Sequence, residues 1–63
     1  MCLSTAYEIG PSGDKMICDR VTNVSVEGDS VRLVTLLGQQ TLVKGNLKDV
    51  DLNKNVIRIE TKQ

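Results

Sequence analysis

The 63-residue sequence contains no histidine. Histidine is the commonest general base and the usual partner of a nucleophilic serine or cysteine, so its absence removes every Ser–His and Cys–His arrangement. It also removes the mixed cysteine and histidine sets that hold many zinc ions. We therefore expect a protein that is not an enzyme.

Phenylalanine and tryptophan are absent as well, and Tyr7 is the one aromatic residue. A lone tyrosine cannot supply the stacking platform on which single-stranded nucleic acid is bound. The core has to be built from Val, Leu and Ile, and a chain of this length buries only about 60% of the surface that it exposes when unfolded. A thin aliphatic core favours a partner surface, and a homodimer is the simplest one.

Neither sign of charge is in excess, because eight acidic and eight basic residues give a formal net charge of zero. Acids separate the basic residues along the whole chain. This is the pattern of a solvated surface and not of a groove that follows phosphates. The charge pattern weighs against nucleic acid as a partner.

Long apolar runs are missing too. No stretch approaches the roughly 20 residues of a membrane span, and no basic segment followed by an apolar run predicts a signal peptide. Cys2 and Cys18 do not form the dense spacing of a disulfide-stapled secreted domain. We expect a cytoplasmic protein that does not associate with a membrane.

What the sequence does contain is a series of short β-type segments, which turn residues separate at nearly regular intervals. In the second segment the alternation slips between Ile17 and Val24, which predicts a bend or bulge. A helical turn is the alternative, although Val, Thr and Asn suit a helix poorly. Five to six short antiparallel strands predict an all-β fold, a small SH3-like barrel that forms one domain over residues 1–63 and dimerises through or near its N-terminal strand. The predicted strands cover residues 3–9, 15–26, 30–37, 41–44, 47–52 and 56–60.

Two of these strands show a clear alternation of faces. In the third strand Val31, Leu33 and Thr35 share one face, and Arg32, Val34 and Leu36 share the other. Because both faces carry apolar residues, this strand is expected to be central, with the core on one side and a partner on the other. In the last strand Ile57 and Ile59 are expected to point inward.

Two polar motifs have plain structural interpretations. Residues 53–55 predict a hairpin loop, because asparagine tolerates the left-handed region. Asp49 and Asp51 share one face of a strand, and that spacing is more typical of solvent-facing residues than of a carboxylate dyad.

The chemistry of the chain is concentrated at its start. Cys2 places a thiol within one residue of the α-amine, which titrates near a pKa of about 7.7–8. In a two-fold dimer with both starts near the axis, two sulfur and two nitrogen donors would suit square-planar Ni(II) or Cu(II). The nitrogen donor is the Cys2 amine if Met1 is trimmed, and the Met1 amine with the Cys2 backbone nitrogen if it is retained. The structural alternative is a small strand residue at a frayed terminus.

Cys18 has a different setting. It lies among Met16, Ile17 and Val21, where a free cysteine commonly behaves as a small buried hydrophobe. A metal or redox role is the alternative.

Two further function classes stay open at this point. An RNA- or peptide-binding module of Sm-like or SH3-like type would show salt-sensitive binding to oligonucleotides, and it needs a basic or aromatic surface that this sequence shows poorly. The other open class is a dimeric interaction domain with a purely structural role, in which Cys2 binds no metal.

Four segments of the chain, namely Met1–Tyr7, Val31–Gln40, Val43–Leu52 and Val56–Glu60, resemble the CooT family. The most specific elements are the Met-Cys start, the Leu-Gly turn and the run Lys-Gly-x-Leu-Lys-x-Val-Asp-Leu. Members of the CooT family are small nickel-binding proteins that are accessory to nickel insertion into carbon monoxide dehydrogenase. The resemblance implies a homodimer of SH3-like subunits that binds one Ni(II) through Cys2 of each chain, with a nickel enzyme as client.

Overall fold

The computed structural model describes residues 3–61, and the regular structure among them consists of β-strands that close into a barrel in the order β1-β2-β3-β4-β5. No helix within these residues is long and apolar enough to cross a membrane. The predicted small all-β barrel is confirmed. The strands are β1 (Ser4–Gly10), β2 (Gly13–Glu27), β3 (Ser30–Thr35), β4 (Gln40–Asp51) and β5 (Val56–Thr61).

The barrel is one closed sheet with two regions, because β2 and β4 each pair with two neighbours in succession. β2 pairs with β1 through residues 13–21 and with β3 through residues 21–27. β4 pairs with β3 through residues 40–44 and with β5 through residues 45–51. We call the region of β1, β5 and the adjoining parts of β2 and β4 the front sheet, and the region around β3 the back sheet.

Closure of the barrel takes place between the first and the last strand. β1 and β5 run parallel, from Thr5 opposite Val56 to Ile9 opposite Glu60, whereas every other pair is antiparallel. The side-chain hydroxyl of Thr61 adds a hydrogen bond to a Glu8 carboxylate oxygen at 2.8 Å. The first and the last strand are therefore held to each other along the length of the front sheet.

Gly45 corrects the prediction of two separate strands over 41–44 and 47–52. It is a buried residue in the middle of the continuous strand β4, at the point where the strand passes from one neighbour to the other. A Cβ atom at this position would collide with the Glu60 carbonyl and lie 2.8 Å from the Thr61 Cα. The glycine therefore permits a close approach of two backbones and does not form a turn.

The slip in β2 is a bulge, as predicted, and the helical-turn alternative is excluded. Arg20 has a φ of 54°, an uncommon value for a residue with a side chain. The pairing of β2 with β1 shifts register on both sides of Cys18. The Arg20 carbonyl accepts a hydrogen bond from the Leu36 backbone N–H at 2.9 Å, so the bulge is fastened to the end of β3.

The core is small and entirely aliphatic. The predicted inward positions of Ile57 and Ile59 are confirmed, since they are 2% and 0% exposed, and the core face of the third strand is the one that carries Val31 and Leu33, each 0% exposed. The predicted left-handed asparagine is also present, because Asn55 has a φ of 58°. The buried residues are Ala6, Val21, Val31, Leu33, Ile57 and Ile59.

Candidate functional site

One end of the barrel surrounds the start of β1. Ser4 pairs with Val21 beside the bulge of β2. Thr5 pairs with Val56, and its N–H donates to the Asn55 carbonyl at 2.9 Å. The chain therefore enters the barrel between the bulge and the β4–β5 hairpin, and we call this region the N-terminal end of the barrel.

The predicted metal ligands Met1 and Cys2 lie outside the described residues. They precede Leu3, which is half-buried at the N-terminal end of the barrel. Their role in metal binding stays a prediction. The structure describes the surface around Leu3, the first described residue.

Large apolar side chains are exposed at this end. Leu37 is 86% exposed, Leu52 is 80% exposed and Leu36 is 54% exposed. Leu36 and Leu37 follow the end of β3, and Leu52 follows the end of β4. The last residues of these two strands pair with Val21 and Val56, which flank the start of β1. Exposed apolar side chains that form a contiguous patch typically mark an interaction surface, and we call Leu36, Leu37 and Leu52 the leucine rim.

The sequence did not identify this rim, because Leu36 and Leu37 were predicted as part of the third strand. The strand ends at Thr35, whose carbonyl accepts a hydrogen bond from the Gly38 N–H at 2.9 Å. Gly38 has a φ of 85°, so the Leu-Leu-Gly run forms a turn. That glycine directly after two leucines is the signal that could have placed them outside the sheet.

Cys18 is half-buried and packs against the hydrophobic core, as predicted. Burial, with a smaller contribution from the neighbouring Asp19, raises the pKa of its thiol. The structure thus shows Cys18 packed against the core, the setting predicted for a small hydrophobe.

The two aspartates of β4 have the plain roles that were predicted. A guanidinium nitrogen of Arg58 donates to an Asp49 carboxylate oxygen at 3.1 Å. Asp51 accepts backbone hydrogen bonds from Asn53 and Lys54, both at 3.0 Å. The hydrogen bond from Lys54 is the largest cause that lowers the pKa of Asp51. Neither aspartate belongs to a catalytic dyad in this arrangement.

Within residues 3–61 no group of three or more Cys, Asp, Glu or His side chains is placed to hold a metal ion. Tyr7 is half-buried and lies opposite Met16 and Arg58 on neighbouring strands.

Comparison with known proteins relates the chain to one family. The family model described as CO dehydrogenase accessory protein CooT matches residues 1–60. Among curated proteins no match was found. The crystal structure of "putative CooT from Carboxydothermus hydrogenoformans" has a TM-score of 0.87 and 19% sequence identity, over 98% of this chain and 100% of that chain. Since the family model spans nearly the whole sequence, the chain belongs to the CooT family of CO dehydrogenase accessory proteins.

Proposed function

We propose that the protein is a nickel metallochaperone without enzymatic activity of its own. Two subunits hold one Ni(II) between them through Cys2 and N-terminal nitrogen donors, including the Met1 amine where Met1 is retained. The ion is then passed to a nickel enzyme such as CO dehydrogenase. The observation that carries the proposal is that a cysteine adjoins the chain start of a CO dehydrogenase accessory family member, at an end of the barrel rimmed by exposed leucines.

The leucine rim supports dimerisation at this end. A 63-residue chain whose buried core consists of six aliphatic side chains has little stability to spare. Burial of Leu37 and Leu52 against a second copy removes apolar surface from water, at about 25 cal/mol for each Å². A two-fold contact here brings the two chain starts toward one axis.

The donor chemistry supports nickel as cargo. A thiolate with amine and amide nitrogens suits a square-planar d-block ion, whereas zinc prefers a tetrahedral set. The sequence has no histidine and just one other cysteine, and the pKa of that Cys18 thiol is raised by burial. Cys2 is therefore the natural sulfur donor. A site at the surface of a dimer also leaves the ion accessible for ligand exchange with the client.

The test is nickel titration of the full chain by calorimetry. Cys2→Ser should abolish stoichiometric binding while the far-UV circular dichroism spectrum stays unchanged. Cys18→Ser is the matched control, and it should keep one Ni(II) per dimer. Nickel affinity in Cys2→Ser equal to that of the wild type would contradict the proposal. Native mass spectrometry of the same samples gives the subunit number, the metal count and the presence of Met1 together.

A further inference from the structure

The outer face of the front sheet carries the single tyrosine of the chain in the middle of a row of four side chains. Met16, Tyr7, Arg58 and Asp49 are register partners on four adjacent strand segments. Tyr7 shares the outer face with its register partner Arg58, because Arg58 lies between the buried Ile57 and Ile59 and successive side chains of a strand alternate between faces. Met16 is 58% exposed, so an apolar centre lies open on this face.

Acidic groups surround this centre. Ile9 pairs with Asp14 on one side and with Glu60 on the other. Arg58 reaches across β1, with its Nε 3.6 Å from an Asp14 carboxylate oxygen, and it also contacts Asp49 at 3.1 Å. The carboxylates of Asp14, Asp49 and Glu60 thus share this face with the guanidinium of Arg58, which contacts the first two of them.

From this arrangement we infer that the outer face of the front sheet, centred on Tyr7 and Met16, docks the client enzyme through a patch on that enzyme that is basic at its rim and apolar at its centre. The inference rests on the proposed function, because it names where the recipient of the metal binds. Tyrosine and methionine are enriched in the cores of protein interfaces, where charged residues are depleted. Their placement inside a charged rim is the arrangement that such interfaces show.

Charge argues against a second copy as the occupant. Face-to-face packing of two front sheets would bring Asp14, Asp49 and Glu60 of one copy toward the same carboxylates of the other. Juxtaposed like charges disfavour an association by several kcal/mol, whereas Lys and Arg on a different protein would pair with them. The occupant is therefore a partner of opposite charge.

The docking face and the N-terminal end of the barrel are separate surfaces. The row that contains Tyr7 and Met16 lies farther along β1 than the pair of Thr5 and Val56 that borders the N-terminal end. A dimer closed through the leucine rim leaves this face open on each subunit. One surface holds the ion and the other positions the client.

The experiment measures binding of the nickel-free full chain to purified CO dehydrogenase by interferometry, at low and at high salt. Met16→Ala and Tyr7→Ala should each weaken binding by about tenfold or more. Glu60→Lys should weaken it and flatten its salt dependence, because the acidic rim contributes to attraction at a distance. Leu42→Ala is the matched control, since Leu42 is an exposed apolar residue (56%) opposite Arg32 on the back sheet, and it should bind as the wild type does.

Several results would overturn the inference. One is equal affinity for CO dehydrogenase of the wild type, Met16→Ala, Glu60→Lys and Leu42→Ala. If the half-buried Tyr7 proves necessary for folding, Met16→Ala alone still tests the apolar centre. Another is dissociation of the dimer by Met16→Ala, which would assign the face to a second copy. A wild-type chain that takes up nickel but does not bind CO dehydrogenase would overturn this inference alone, whereas loss of nickel binding is read from Cys2→Ser. Cys2→Ser should still bind CO dehydrogenase normally.

Discussion

At the scale of single residues, Gly45 shows how one position fixes the shape of the barrel. It permits β4 to change partners without a break, because no side chain separates its backbone from that of β5. Its N–H donates to the Asp29 carbonyl at 2.8 Å. The same glycine therefore joins the front sheet to the β2–β3 hairpin.

Gly45→Ala should destabilise the protein by about 2 kcal/mol or more, because overpacking a well-packed site against backbone typically costs about 1–3 kcal/mol. Urea unfolding followed by far-UV circular dichroism measures the change. Gly10→Ala is the control, since a Cβ there meets the Gly13 carbonyl at an ordinary 3.6 Å. Equal midpoints for the two variants would show that β5 yields without cost.

Sequence reasoning performed unevenly at this scale, and the reason is physical. Asn55 was predicted in the left-handed region from its own side-chain chemistry, and it is there. Gly45 was interpreted as a turn because glycine favours both turns and close approaches. The choice between these depends on what lies opposite, here Glu60 and Thr61, and a local pattern does not contain that information.

At the scale of elements, the β4–β5 hairpin has a polar anchor at its base. The Asp51 carboxylate accepts the N–H groups of Asn53 and Lys54, an arrangement typical of aspartate in turns. The hydrogen bond from Lys54 is the first cause of its lowered pKa. The hairpin in turn supports β1, because the Thr5 N–H donates to the Asn55 carbonyl.

Asp51 should make the stability of the protein fall in acid. Its pKa is lower in the folded state than in the unfolded chain, so ionised Asp51 stabilises the fold above the unfolded value, and this contribution is lost as pH falls through the folded value. Thermal unfolding of wild type and Asp51→Asn across acidic pH checks this. The difference between the two proteins should shrink as pH falls, and a constant difference would contradict the assigned role of the charge.

The strands themselves were largely predictable, because alternation and β-branched residues are local signals. The inward positions of Ile57 and Ile59 were predicted from period two, and the same period placed Val31 and Leu33 on one face, which is the buried one. The bulge in β2 was predicted from the slip in that period. The end of β3 was not, since Leu36 and Leu37 continue an apolar run into a turn.

At the scale of the whole molecule, the exposed leucines and the thin core belong together. The buried side chains are small and aliphatic, while Leu37 and Leu52 are more exposed than buried. A monomer that leaves such residues in water gains stability when a second copy covers them. The proposed dimer and the marginal core are two aspects of the same composition.

Leu37→Glu should leave the monomer folded, because Leu37 is exposed there. It should weaken the dimer by at least about tenfold, because the proposed interface would then bury a charge. Analytical ultracentrifugation across a concentration series measures the effect. Leu42→Glu on the back sheet, also exposed, is the control and should not change the dimer. A Leu37→Glu protein that sediments as the wild type does would move the interface away from the N-terminal end.

The candidate site was predictable in its chemistry and not in its surroundings. The coincidence of Cys2 with the chain start can be recognised from two letters of sequence, and family membership supports it. The rim of Leu36, Leu37 and Leu52 requires three strand ends to meet. That meeting depends on a parallel pairing between residues about fifty positions apart, which no short-range pattern specifies.

The same pairing has a consequence for synthesis on the ribosome. β1 is made first, yet the strand that completes its second edge is made last, so Thr5 cannot meet Val56 or Asn55 until nearly the entire chain has left the exit tunnel. The barrel therefore stays open along this edge of β1 until β5 has been synthesised.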